Sequence, residues 1–417
     1  MRCILYNKYT PVADIEFDTT VKRISNIYEI LDIKYAPLGV YNAYNNKSGN
    51  TLKALNLWFS GRGIPSWRKD LSGLLLRLGV SSADELLDKS YGLSLSDQYW
   101  FKEKGSSITW NDINFFTNPF EYTAYLRASL DSTGRYSQNP SLKSPTNTTD
   151  GMLQKAWIIE DGRRVLVKGT YTASREEPFN EWLASRICDK LGFDYCKYKL
   201  DWYQNTLVSK CDNFIGEDEE IISAYDVFMS EKKRNDVNDF EHYVSILEDH
   251  GIIDAREKVS DMYILDYLMV NSDRHMKNFG IIRNVESLEW VDTTPIFDSG
   301  QSMCCDRYTN NMDFKNAYGK FFTNTSKNYK QILETIGKSG LGIDAVKLNG
   351  IVEEYEDVLK IYQDQMDMTD RRINKLTEGL QTRMDMLEKY ISRHQQKCVS
   401  RYHETEEADI EEDDLML

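Results

Sequence analysis

The chain reads as an α+β protein of two lobes, a small β-rich lobe followed by a larger helical one, with a further α+β domain in front. Three observations carry this. Asp161-Gly162 is a two-residue hairpin signal between the strand-like runs of "MLQKAWIIEDGRRVLVKGT". Helical periodicity dominates from about residue 220 and ends in a long apolar repeat near the C-terminus. Between these and a front section of mixed short runs lies a polar stretch, residues 131–150, rich in Ser, Thr, Asn, Pro and Gly, which reads as a linker or mobile loop. The expected divisions are 1–135 for the front α+β domain, 136–212 for the β-rich lobe with its loop, 213–400 for the helical lobe and 401–417 for an acidic disordered tail.

The bulk numbers bound the class. A chain of 417 residues suits two or three domains, and 41% hydrophobic residues with 26 Tyr and 8 Trp build a sizeable core. Mean hydropathy is −0.56, and no window is continuously apolar for the length of a membrane helix. The start "MRCILYNKYT" lacks the apolar stretch of a signal peptide, so the expectation is a cytoplasmic protein without membrane contact. Seven scattered cysteines without a CxxC pair and five histidines without ligand spacing argue against a disulfide framework or a zinc site. Net charge is −15, and Glu404 to Asp414 holds eight acids and no base, a block that reads as solvated. No basic footprint appears, so direct nucleic-acid binding is not expected.

In chain order, "SADELLDKSYGL" reads as a helix with Ser81 or Ser82 as cap, and Glu85 stands at capping-box spacing from Ser82. After the hairpin, Val165 and Val167 should face one way, Leu166 and Lys168 the other. "EPFNEWLASRICDKLGF" reads as a helix with Pro178 in its first turn and Gly192 as its C-terminal cap. "YKLDWYQNTLVSKCDNF" suggests two more strands. Ile264, Leu265, Leu268 and Met269 form a buried helical stripe, and Ile373, Leu376, Leu380, Met384, Leu387 and Ile391 mark a long amphipathic packing helix.

The chemistry concentrates in "VNSDRHMKNFGII". Phosphoryl transfer needs a carboxylate at the attacking hydroxyl, hard oxygen ligands for magnesium, a lysine steered by a glutamate, and a loop over the phosphates. Asp273 and Asn278 stand in D-x-x-x-x-N, the spacing of a base and a metal ligand. Asp298 in "PIFDSGQS" is a second candidate metal ligand. Lys168 on a strand and Glu181 early in the next helix come in the order such a pair requires. "TNTTDGMLQK", with Thr148, Thr149, Asp150 and Gly151, lies where a phosphate-covering loop belongs. Arg274 and Lys277 read as solvated, and His275 as a core histidine that holds the loop.

"NSDRHMKNFGII" followed by "TTPIFDSGQS" resembles the HipA-like bacterial serine/threonine kinases, including the shorter CtkA-type members. The matching residues are Asp273, His275, Lys277, Asn278, Pro295, Phe297, Asp298 and Ser302, with "RRVLVK" similar to the nucleotide-binding lysine strand. The specific match spans about residues 145 to 305, and a fainter likeness covers residues 1–130. The resemblance implies a two-lobed protein-kinase-like fold, shared with phosphatidylinositol kinases, and an ATP- and Mg2+-dependent serine/threonine protein kinase. It implies Asp273 as catalytic base, Asn278 and Asp298 as magnesium ligands, Lys168 on ATP phosphate and Glu181 orienting Lys168. His275 and Lys277 join the nucleotide-contacting residues, Ser209, Lys210 and Cys211 offer backbone to adenine, and Asp212 lies near the ribose. Autophosphorylation at Thr148 or Thr149, a toxin-like role and a helix-turn-helix antitoxin partner also follow from the resemblance. The alternatives left open are a small-molecule or lipid phosphotransferase of the same superfamily and a nucleotide-binding pseudokinase.

Overall fold

The computed structural model describes residues 1–46, 49–64, 71–83, 85–86, 90–130, 142–149, 153–337 and 342–414, without side chains from residue 395 onward. Strands β1 (Arg2–Asn7), β2 (Thr10–Asp18), β3 (Arg23–Ile30) and β4 (Tyr99–Glu103) form an antiparallel sheet in the order β3-β2-β1-β4. Alternation along β1 turns Cys3 and Leu5 inward, against Leu55 and Phe59 of the helix Thr51–Arg62. The capping expectation holds: Glu85 accepts from Ser81, and its own N–H donates to Ser82 Oγ at 3.2 Å.

Strands β5 (Lys155–Glu160) and β6 (Arg163–Lys168) close on Asp161 and Gly162. Both turn residues have positive φ, 51° and 77°, which matches the right-handed twist of the flanking strands. With β7 (Lys199–Tyr203) and β8 (Thr206–Asp212) they form a sheet in the order β5-β6-β8-β7. Val165, Val167 and Val208 pack on one face, and Leu166 and Lys168 lie on the other. The helix α1 (Glu177–Leu191) follows, with Pro178 in its first turn and Gly192 at φ 80° ending it.

The helical lobe is built on one large cluster that includes Ile264, Leu265, Leu268 and Met269 of α2 (Ala255–Met269) and Ile373, Leu376 and Leu380 of α3 (Asp370–Asp414). A small sheet, in the order β11 (Trp290–Thr293), β10 (Gly280–Asn284), β9 (Glu219–Ser223), follows the polar loop of residues 270–279 through β10 and β11 and takes its third strand from before it. Gly280 starts β10 where an added Cβ would sit 1.9 Å from the Ile222 carbonyl oxygen, an atom of the paired strand that cannot swing away. Gly280→Ala is therefore expected to lower stability by about 1–3 kcal/mol, seen as a lower urea midpoint; an unchanged midpoint would count against this close approach. Among the described residues no helix is long and apolar enough to cross a membrane.

Two expectations change. The polar run before the hairpin is not a solvated loop where it is described: Pro145–Thr148 form a buried 3-10 turn. Its polar groups bond to protein instead of water. Asn147 donates to the carbonyls of Leu86 (2.9 Å) and Leu142 (2.7 Å), and Thr146 Oγ1 accepts from Trp157 N at 3.1 Å. Residues 131–141, which supplied most of the linker composition, lie outside the described residues, as do Asp150 and Gly151. At the C-terminus α3 runs to Asp414, through the segment read as a disordered tail. Adding a residue to a packed helix costs far less than nucleating one, so the backbone continues past the last apolar anchors.

Candidate active site

Lys168 ends β6, and the hairpin register sets Lys155 directly across from it on β5 and Ser209 across on β8. Directly opposed residues share a sheet face, so the three form a row. Lys168 is 2% exposed, and its Nζ donates to Glu181 Oε1 at 2.9 Å, Asp298 Oδ1 at 2.8 Å and the Tyr198 hydroxyl at 3.0 Å. Burial works to discharge the ammonium, but Asp298 and Glu181 outweigh it and hold its pKa above that of ordinary lysine. Burial likewise opposes ionisation of Asp298, and Lys168 and Lys155 reverse that, keeping the carboxyl well below the usual range. Glu181 is pushed up by burial, partly offset by Lys168, and its Oε2 has no hydrogen-bond partner among the described residues.

Sequence reasoning missed Lys155 and Tyr198. Lys155 is buried, and its charge acts on Asp298. Tyr198 accepts from Lys168 and from the Asp298 N–H (3.3 Å), so one hydroxyl ties the lysine strand to the Asp298 turn. Tyr198→Phe leaves both donors short of an acceptor, and a loss of about 1–2 kcal/mol in chemical denaturation is expected. A variant as stable as the parent would show that the hydroxyl is not a structural tie.

The polar loop is bolted down by Arg274, which is not solvated but 1% exposed. Its guanidinium forms a paired bridge to Asp266 on α2 (Nε to Oδ2 2.9 Å, NH2 to Oδ1 3.0 Å). It also donates to the carbonyls of Asn278 (2.8 Å) and Phe297 and to Ser299 Oγ (3.1 Å). One side chain thus joins the Asp273 loop to the Asp298 turn, and every bond suits the planar fork of arginine. Asn271 braces the loop from the other side, its Oδ1 accepting from Asp273 N at 2.9 Å and its Nδ2 donating to Asp266 at 2.8 Å.

Asp273 and Asn278 come together in the loop: Asn278 Nδ2 donates to the Asp273 carbonyl at 3.0 Å. Lys277 is exposed. His275 is not a core residue; its side chain is 30% exposed, 4.0 Å from Asp273 Oδ2 through Nε2, and its Nδ1 accepts from Lys277 N at 3.3 Å. The Asp298 turn follows, with Asp298 at φ 58°, a left-handed conformation that aspartate tolerates. Asn180 of α1 clamps the turn through the carbonyls of Gly300 (2.8 Å) and Ser302 (2.9 Å).

The remaining expected residues are placed as follows. Ser209 and Lys210 are paired on both edges of β8, so their main-chain groups are engaged in the sheet, and Cys211 and Asp212 lie beyond the end of the β7 ladder. The Asp212 carboxylate pairs with Arg163 at 2.6 Å. The hydroxyls of Thr148 and Thr149 are buried, donating to the carbonyls of Leu93 (2.9 Å) and Pro145 (3.1 Å). Thr148 thus bonds to the front domain through Leu93, and Thr149 bonds back to the start of the 3-10 turn. Lys320, which no sequence argument singled out, reaches Asp273 Oδ1 from a later hairpin.

A lysine strand and following helix glutamate meeting an Asp turn beside an Asp/Asn loop define a two-lobed, kinase-like fold. Residues 148–366 match the HipA-like C-terminal domain, and the chain belongs to that family. It is 26% identical over 238 residues to the serine/threonine-protein kinase CtkA of Helicobacter pylori, covering 49% of this chain and 72% of that one. HipA of Shewanella oneidensis, solved with HipB and its operator DNA, superposes with a TM-score of 0.54 at 13% identity, over 94% of this chain and 99% of that one. The crystal structure of Helicobacter pylori CtkA gives a TM-score of 0.46 at 19% identity, over 58% of this chain and 95% of that one.

Proposed function

We propose that the chain is an ATP- and magnesium-dependent kinase that phosphorylates serine or threonine hydroxyls of proteins, itself included. The observation that carries the reading is the Lys168–Glu181–Asp298 cluster, built on a buried lysine and glutamate and held against the Asp273–Asn278 loop by Arg274. The residues fit both groups. Asp298 and Asn278 are hard oxygen donors, and magnesium is commonly held by one or two such side chains plus substrate phosphates. Lys155 and Lys168 are cations on one sheet face, suited to phosphate. Beside Lys168, the cluster of Leu166, Cys196, Cys211, Phe214 and Phe297 offers the apolar surface that a planar base needs.

In this reading Lys168 is kept charged and aimed by Glu181 and Tyr198. Asp273 orients the acceptor hydroxyl and takes its proton as the acceptor oxygen bonds to phosphorus, while the bond to the bridging oxygen breaks and ADP leaves with that electron pair. Magnesium, when bound, neutralises charge on the phosphates. The test is the intact mass of the protein after incubation with ATP and magnesium, beside Asp298→Asn. Steps of one phosphate in the parent alone are expected. No transfer to itself or to any protein of a cell lysate, with nucleotide still bound, would replace the reading with a pseudokinase.

The Shewanella HipA was solved with HipB and operator DNA. A helix-turn-helix antitoxin is the partner we extend to this chain, with a toxin-like role, and co-purification with a helix-turn-helix protein encoded beside it tests that.

A further inference from the structure

The hairpin of β12 (Tyr318–Lys320) and β13 (Ser326–Asn328) is built to hold one cation against the polar loop. Lys320 Nζ meets Asp273 Oδ1, and Asp273 is its only hydrogen-bond partner among the described residues. Both side chains are about a quarter exposed, at 23% and 25%, so the pair is open to solvent rather than sealed in the core. The residues around Lys320 leave its backbone little freedom. Phe321 and Phe322 follow it and are buried, with the Phe321 ring 4.7 Å from that of Tyr263. Gly319 precedes it at a point where a Cβ would stand 2.4 Å from the Tyr329 hydroxyl and 3.1 Å from the Asn271 carbonyl oxygen. That hydroxyl donates to Asn271 O, in the loop that also carries Asp273. The hairpin and the loop are therefore locked together at close range, and Lys320 emerges from the lock toward the carboxylate.

An ammonium carries three donors, and one is taken by Asp273. Lys168 and Lys155 neutralise the Asp298 end of the site, on the nucleotide side. At the acceptor end, a base within reach of the attacking hydroxyl is also close to the phosphorus under attack, since one oxygen joins both. We propose that Lys320 is a catalytic residue that bridges the Asp273 carboxylate and the transferring phosphoryl group, meeting charge that develops on its oxygens. The assignment rests on the phosphotransfer reading above. Lys320 moves no proton; it donates hydrogen bonds while Asp273 receives the acceptor proton and ADP departs.

The experiment compares the full chain with Lys320→Met, Lys320→Arg, Asp273→Asn and the double variant Asp273→Asn/Lys320→Met. It reads phosphoryl transfer at saturating ATP, thermal midpoint, MgADP affinity, and affinity for MgADP with vanadate, a mimic of the phosphoryl group in flight. Lys320→Met should lower turnover by about a hundredfold or more, with MgADP affinity unchanged. Vanadate-dependent tightening should be lost, and Lys320→Arg should restore part of both. In the Asp273→Asn background the same substitution should slow transfer further. Tightening by vanadate that survives in a folded Lys320→Met overturns the proposal, as does an effect that vanishes once Asp273 is gone, which would make Lys320 only a positioning residue. If the parent transfers no phosphate to any acceptor, the kinase reading fails, whereas an active parent with an unaffected Lys320→Met sinks this assignment alone.

Discussion

Arg274→Met is expected to destabilise the protein by about 3–5 kcal/mol, the largest stability loss of any single substitution at the site. The guanidinium and the Asp266 carboxylate are both fully buried, at 0% and 1% side-chain exposure. Removing the cation strands a carboxylate in the core and frees the carbonyls of Asn278 and Phe297 and the Ser299 hydroxyl from their donor. Burial disfavours the arginine's charge and Asp266 outweighs it, holding the guanidinium pKa above normal, so Arg274 does not escape by losing its proton. Lysine should not rescue it, because a point charge cannot reproduce five forked donors. Chemical denaturation of the variant, alone and with Asp266→Asn, reads the effect. If Arg274→Met falls within about 1 kcal/mol of the parent, the bridge is not what holds the loop, since a buried pair that is broken costs several times that.

Asp273→Asn should act on rate and leave the fold intact. Asparagine keeps the shape, and the loop is held mostly through Asn271, Arg274 and main-chain bonds rather than through the Asp273 carboxylate. Loss of a positioned base typically costs about a hundred- to ten-thousand-fold in rate. That drop should appear in phosphate incorporated per molecule, with the thermal midpoint and nucleotide affinity close to the parent. Full incorporation by the variant would remove Asp273 from the role of base and leave the pairing with Lys320 without a catalytic meaning.

Much of the small lobe was legible because its signals are short-range. Asp161-Gly162 is a turn whatever surrounds it, and the paired strands follow. The same turn already implies that Lys155 opposes Lys168, since a two-residue hairpin closing on Glu160 and Arg163 fixes every pair behind it. A count along the strands would have found this second lysine. Arg274 also had a signal. Asp266 stands inside the apolar stripe of Ile264, Leu265, Leu268 and Met269, and a carboxylate on a buried helix face needs a cation. The polar composition of the loop hid that need, as it hid the buried turn at Pro145–Thr148. In both cases polar residues satisfy one another and the backbone, and composition alone does not distinguish that from solvation.

Periodicity, turn chemistry and the D-x-x-x-x-N spacing act over a few residues, so the Asp161-Gly162 hairpin, the helix after it and the Asp273–Asn278 pairing could be read from the chain, whereas the strands β9 to β13 inside the helical lobe could not. The family resemblance also lay in the residues themselves, in the Asp273 loop and the Asp298 segment. No local pattern could bring Lys320 to Asp273 across 47 residues. Nor could one engage Ser209 and Lys210 in the sheet on both sides, or turn the Thr148 hydroxyl to a carbonyl of the front domain. Those contacts depend on which surfaces meet when the lobes pack, and a polar group finds its partner only after burial has removed water as the alternative.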